Sequence, residues 1–267
     1  MIKDPQPWGD LTSFRTITEG LADAIKARTA TENRVKRGGG AVDTVQARVL
    51  IQLDRDKEAR YREMLQAVYE TQVPEHVRAW AAGIPGLASG ELFPRILGTL
   101  GHPRIAIPYK WEGNMPVPAG DPYERTLRQL WQFSGCGDPG TIPRGDILGH
   151  SPTREDKLRG GKLTVLRPLL YTFTSYIVRM HTRSPEIADS MYYKYLTEAK
   201  AAAQGKVHQR QCQNKHRPPL RPNGCGTVLH PEWGAPGSPW RPGHVDMHAH
   251  RVTQKELLRQ LWRVSEL

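Results

Sequence analysis

Residues 11–37, LTSFRTITEGLADAIKARTATENRVKR, decide the fold class. Their apolar positions Leu11, Phe14, Ile17, Leu21 and Ile25 recur at steps of three and four, which puts them on one face of a helix. Gly38-Gly39-Gly40 follows and ends it, because consecutive glycines give up too much backbone entropy to continue a helix. A second helix is expected from about Val42 to Ala82, with Val42, Val45, Val49, Leu53, Tyr61, Leu65 and Val68 as its apolar set. Its centre, Asp54-Arg55-Asp56-Lys57-Glu58, is charged. A helix of that length and charge cannot bury itself alone. It is expected to pair with the first helix as a hairpin, or with a second copy of the chain as a coiled-coil homodimer.

The remaining punctuation is also helical. Asp121-Pro122-Tyr123-Glu124 offers an N-cap, a proline at the first helical position and a capping-box carboxylate for a helix that stops at Gly135. Pro168 opens a helix through Leu169, Leu170, Phe173 and Ile177. Ser184-Pro185-Glu186 opens another, through Met191, Tyr192, Tyr195 and Leu196 to Gly205. Between Val207 and Pro242 proline and glycine become too dense for a helix, and a long loop is expected. The last helix is expected from about Met247. The fold class is all-α: a helical hairpin over residues 1–82, then a compact helical domain over residues 83–267 carrying the Pro/Gly-rich loop at residues 207–242.

Charge narrows the partners. The 267 residues carry a formal net charge of +11. Such a balance favours a polyanion, since each Lys or Arg set on a phosphate releases a counterion. No stretch approaches the roughly 18 apolar residues of a membrane span, so no membrane partner is expected, and Met1-Ile-Lys-Asp-Pro does not begin a signal peptide. Cys136, Cys212 and Cys225 are too few and too irregular for a disulfide framework, which suits a reducing, cytoplasmic setting.

Two stretches are suited to phosphate. Ile84-Pro85-Gly86-Leu87-Ala88 reads as the turn of a helix-hairpin-helix element. Gly86 would let the backbone approach a phosphate, and Arg78, Arg95 and Lys110 are the nearby cations. The bland alternative is an ordinary turn between helices. On the closing helix Arg251, Lys255 and Arg259 follow one another at four-residue steps and would clamp a second strand, and His244 and His248 share a face. A solvated helix face is the alternative there. His208, Cys212, His216, Cys225, His230, His244, His248 and His250 crowd the last third of the chain. They lack the close Cys-x-x-Cys pairing of structural zinc sites. No cofactor is therefore implied, with a zinc knuckle ordering the loop as the alternative.

Three of these pieces stand in a familiar order: the hairpin Gly83–Gly90, the helix KLTVLRPLLYTFTSYIVRM (162–180) and the closing GHVDMHAHRVTQKELLRQLWRV (243–264). Together they resemble the coiled-coil and C-terminal parts of the DEDD-type insertion-sequence transposases and Piv-type DNA invertases. The resemblance covers roughly Ala24 to Leu267. The RuvC-like nuclease part of that family, with its four acidic metal ligands, finds no match, and Asp4 and Asp10 cannot replace it. A shorter, transposase-like group is similar too, through Trp131–Gly135, Leu166-Arg167, Tyr192 to Tyr195 with Lys200, and Gly243-His244-Val245 to Leu261-Trp262.

The resemblance implies a nucleic-acid-binding protein of a prokaryotic mobile element, with DNA or structured RNA as partner and Arg167 among the phosphate contacts. It also implies a serine nucleophile, for which Ser134 and Ser151 are the candidates. Both match the family pattern poorly, and a helix C-terminal residue and a loop residue are their alternative roles. Catalysis is therefore expected to be incomplete. The competing expectations are an active recombinase that uses one of these serines, with a separate nuclease subunit, and a helical scaffold.

Overall fold

A computed structural model describes residues 8–9, 11–37, 45–87, 90–107, 109–112, 115–118, 120–137, 166–209 and 231–266. The described chain is predominantly helical. In chain order the elements are α1 (Leu11–Arg37), α2 (Val45–Gln72), α3 (Glu75–Ala82), α4 (Leu92–Leu100), β1 (Ile105–Ala106), β2 (Tyr109–Glu112), β3 (Met115–Pro118) and β4 (Tyr123–Glu124). Then come α5 (Leu127–Phe133), α6 (Leu166–Met180), α7 (Pro185–Ala188), α8 (Met191–Ala203), a 3-10 turn (Pro231–Gly234) and α9 (Pro242–Val264). The chain forms two compact units, Met1–Leu169 with Leu261–Leu267, and Leu170–Gln260.

In the first unit α1 and α2 form the expected hairpin. Phe14, Ile17, Leu21 and Ala24 of α1 are buried, as are Ala47, Glu58 and Leu65 of α2. The face that α2 turns inward differs from the expected one. Val45, Val49, Leu50 and Leu53 lie exposed, Val45 at 78 %. The reason is electrostatic: the charged centre is the interface. The Glu58 carboxylate is buried and accepts from Arg28 Nε at 2.6 Å and from Arg62. Thr31 Oγ1 donates to Asp54 Oδ2 at 2.9 Å. An inward Glu58 rotates the upstream valines out. The long second helix also breaks at Val73-Pro74, since proline at 74 can only begin a helix, and α3 starts immediately after it.

Ile84–Leu87 joins α3 to α4 in a tight turn. Leu87 N–H donates to Ile84 C=O at 3.0 Å with Gly86 at φ 87°, a conformation that favours glycine. Ile84 and Leu87 are buried on either side of it. α4 then lies close against α1 and buries Phe93, Ile96, Leu97 and Leu100. The approach is tight because Gly98 faces α1. A Cβ there would stand 1.9 Å from Thr18 Oγ1 and 3.1 Å from the Phe14 carbonyl oxygen.

Two antiparallel ribbons interrupt the helices. β1 pairs with β4 (Ile105 with Glu124, Ala106 with Tyr123) and β2 with β3 (Tyr109 with Pro118 to Glu112 with Met115). Tyr123-Glu124 is therefore strand, and the expected cap at Asp121 is displaced. Helix α5 starts later, on a capping box in which Thr126 Oγ1 accepts from Gln129 N–H and the Gln129 side chain accepts from Thr126 N–H. The first unit closes on the chain end. Trp262 Nε1 donates to Arg125 C=O at 3.2 Å, Arg104 stacks over the Trp262 ring, and His76 Nε2 lies 3.0 Å from Val264 O.

The second unit holds most of α6, α7, α8 and most of α9. Helices α7 and α8 are separate because Ser190 caps α8, its hydroxyl accepting from Tyr193 N–H. Gly205 at φ 78° follows the end of α8. The core here is Leu170, Phe173, Ile177, Ile187, Tyr192, Leu196, Ala203, Ala249, Leu257 and Leu258.

Gly98→Ala tests the α1–α4 contact. Alanine gains about 1 kcal/mol in helix propensity, but overpacking costs about 1–3 kcal/mol. A net loss in urea denaturation is expected, partly recovered when Thr18→Ala removes the nearest obstructing atom.

Candidate nucleic-acid interface

α9 begins five residues earlier than its hydrophobic pattern suggests. Pro242 occupies the first helical position, where its missing N–H costs nothing. The chain ahead of it is pinned by a short clasp. Val207 bridges Pro239, His208 N–H donates to Ser238 C=O at 2.9 Å, Gly237 N–H to His208 C=O at 2.7 Å, and Trp240 N–H to Lys206 C=O at 2.7 Å. Gly237, at φ 83°, lets the strand reverse. This clasp sets Lys206 and His208 beside Trp240, and Trp240 beside the first two turns of α9.

The result is a cluster of rings. Trp240 stacks on His244 with centroids 4.3 Å apart and planes at 22°, and lies 5.2 Å from the His248 ring and 6.2 Å from His208. His208 meets His244 at 4.8 Å. Lys206 Nζ stands 5.5 Å from the Trp240 centroid. Nearby, the Arg241 guanidinium lies 3.8 Å above Trp233. His208 is buried, and its Nε2 has no hydrogen-bond partner.

Charge around the rings is positive. Burial first, then His208, Arg251 and His248, push the His244 imidazole down to about 4. Burial, then Lys206, Arg251 and Lys255, push His248 down as well. Burial alone lowers His208. All three histidines are therefore neutral at pH 7, and the fixed cations beside them are Lys206, Arg251 and Lys255.

The rotation of α9 brings these groups together. His244, His248, Arg251 and Lys255 follow at steps of four, three and four, which is one stripe. Ala249, His250, Thr253, Gln254 and Leu257 are buried on the opposite side. His250 Nδ1 lies 2.7 Å from Thr174 Oγ1 on α6, and Gln254 Nε2 reaches the same hydroxyl at 3.5 Å. Lys200 of α8 pairs with Asp246 at 2.7 Å. These contacts fix which side of α9 faces away from the core.

The other expected contacts are placed differently. Arg259 donates to the buried Glu256 at 2.5 Å, a carboxylate that also takes Gln260. In the first unit Arg78 Nε donates to Val73 C=O at 3.1 Å. Arg95 pairs with Glu91 at 3.2 Å, and Glu91 also takes Arg62 at 2.6 Å. Gly86 makes the expected turn, but Glu91 places a carboxylate at the start of α4. Arg167 sits half-buried in the first turn of α6.

Ser134 is fully buried at the end of α5, its hydroxyl donating to Trp131 C=O at 2.9 Å. Ser151, Cys212, His216, Cys225 and His230 lie outside the described residues. His208 stands in the clasp ahead of α9.

No family model, curated protein or solved structure matches the chain. The chemistry must be read from the residues. Among the described residues no group of three His, Cys, Asp or Glu could hold a metal ion, and no helix is long and apolar enough to cross a membrane.

Two side chains escaped sequence reading: Trp240 and Lys206 are far apart in sequence and meet only through the clasp. A signal for Trp240 existed, because a tryptophan two residues ahead of a helix-opening proline lands against the first turn.

The lowered histidines set a pH dependence. A folded-state value below the unfolded 6.5 means that the unfolded chain binds more protons over this window. Stability is therefore full above pH 6.5 and is lost as pH falls towards 4. His102, held at about 4 by burial and by Arg125 and Arg104, adds to the same slope. Urea midpoints should fall between pH 6.5 and 4, with the His244 ring neutral by NMR until near pH 4. A midpoint that is flat across this range contradicts the burial of these rings.

Proposed function

We propose that the chain binds nucleic acid through the α9 stripe, as a protein of a prokaryotic mobile element that resembles the coiled-coil and C-terminal parts of a transposase. The observation that carries this reading is the single stripe that His244, His248, Arg251 and Lys255 form on α9, with Lys206 held over the Trp240 ring at its start. A phosphate backbone laid along a row of cations releases its counterions, and that release favours binding. The chain's +11 net charge supports the same partner. Phosphate contacts of this kind position a nucleic acid without reading its sequence.

In the hairpin at Gly86, Arg78 and Arg95 hold groups of the protein itself, and Glu91 sets a carboxylate beside them. No strand transfer is assigned to Ser134, whose hydroxyl is buried and committed to a backbone carbonyl.

A second reading rests on the exposed row Val45, Val49, Leu50 and Leu53 on α2. It favours a scaffold in which α2 pairs with another helix, giving a homodimer. Sedimentation equilibrium separates the two roles: a dimer lost in Val49→Lys with nucleic-acid binding intact supports the scaffold as an added role, and a monomer throughout removes it.

For the main reading, binding of a labelled oligonucleotide followed across a salt series should give a steep fall in affinity. Arg251→Ala with Lys255→Ala should weaken binding at least tenfold at 100 mM salt and lower the slope of log K against log salt by about 2. Absence of binding at low salt, for both DNA and RNA, contradicts the proposal.

A further inference from the structure

We infer that the Trp240 cluster is a pocket for an unpaired nucleotide, so that the preferred ligand is single-stranded nucleic acid or the unpaired part of a structured one. This inference rests on the nucleic-acid reading above and names its substrate class. Three observations carry it.

First, a phosphate clamp alone does not call for an indole. A tryptophan at the start of α9, stacked on one imidazole and within reach of two more, is a flat apolar surface with Lys206 over its ring and Arg251 and Lys255 further along the same helix stripe. Bases of every kind have a π-face, and an aromatic ring between phosphate-binding cations is how single strands are held without sequence preference. In a duplex the bases already stack on one another and offer no face to Trp240.

Second, His208 Nε2 is buried and lacks a partner, while its ring touches His244 and meets Trp240 at 6.2 Å. A buried polar atom left unpaired carries a desolvation cost that a ligand can relieve. Because the atom is covered in the free protein, a base stacked at Trp240 brings its ring nitrogens and exocyclic amino or carbonyl groups to it as the covering side chains move aside. A neutral imidazole can serve as donor or acceptor there, depending on its tautomer.

Third, the group over Trp240 is adaptable. Lys206 is exposed, its ammonium stands 5.5 Å from the indole centroid, and its flexible stem can move from the ring to an incoming phosphate. The clasp holds the Lys206 backbone in place through Trp240 N–H, so the ammonium stays within reach of the same nucleotide. Stacking, an edge contact and a phosphate contact thus come from Trp240, His208 and Lys206 respectively.

The test uses the full chain and fluorescence anisotropy with four labelled probes of equal length. These are a mixed-sequence single strand, its blunt duplex, a hairpin with a large loop, and a single strand whose central bases are replaced by abasic sites. The expected result is single strand and loop bound about tenfold more tightly than duplex, with a similar loss for the abasic strand, which keeps every phosphate. Trp240→Ala should weaken single-strand binding about tenfold with an unchanged salt slope, and Trp240→Phe should keep most of the affinity. The abasic probe tests the inference on the ligand side, so it stands even if Trp240→Ala disturbs the clasp. Equal affinity for duplex, intact strand and abasic strand overturns the pocket and leaves a backbone-only binder. Failure of all four probes to bind overturns the pocket and the functional reading together.

Discussion

The hydroxyl of Thr174 sets the geometry of the second unit. It stands in the middle of α6, and His250 and Gln254 from two successive turns of α9 converge on it. Polar atoms buried in an apolar core tolerate few arrangements, because each must find a partner. The pair of contacts therefore fixes the rotation of α9 more sharply than Leu257 and Leu258 could by packing alone. Once that rotation is set, His244, His248, Arg251 and Lys255 share the opposite side. Lys200 with Asp246 holds the start of the helix in the same sense.

The first unit follows a comparable logic with charge in place of hydroxyl. Glu58 is buried between Arg28 and Arg62, and this one carboxylate decides which face α2 presents to α1. A charged interface of this kind gives direction more than stability. Its consequence is visible upstream, where four apolar side chains of α2 stay in solvent.

Much of the fold was legible in the sequence, and the failures have physical causes. The bounds of α1 follow from a three-and-four periodicity ended by glycines, and the Ile84–Leu87 turn follows from a proline and a glycine that allow little else. The α2 face was misread because hydrophobic periodicity weighs valine and leucine above glutamate, whereas a partnered Glu58 can lie inside. The ribbons at residues 105–124 escaped notice since two- and four-residue strands carry no periodic signal. Proline and glycine density carries the expected loop up to Pro242, although proline suits the first residue of a helix as well. Of the candidate site, Arg251, Lys255, His244 and His248 were visible as helix positions. Trp240 and Lys206 were not, and His208 stood out only among possible metal ligands, because the hydrogen bonds that join residues 206–208 to residues 237–240 belong to tertiary structure.

The central claim is that nucleic acid lies along the stripe from Trp240 to Lys255. Photo-crosslinking of the full chain to a single strand carrying iodinated pyrimidines, followed by peptide mass spectrometry, locates the contact without any substitution. Adducts within residues 240–255, with Trp240 and His248 foremost, are the result this account requires. Adducts confined to the α1–α2 hairpin, on a strand that binds tightly, would contradict it.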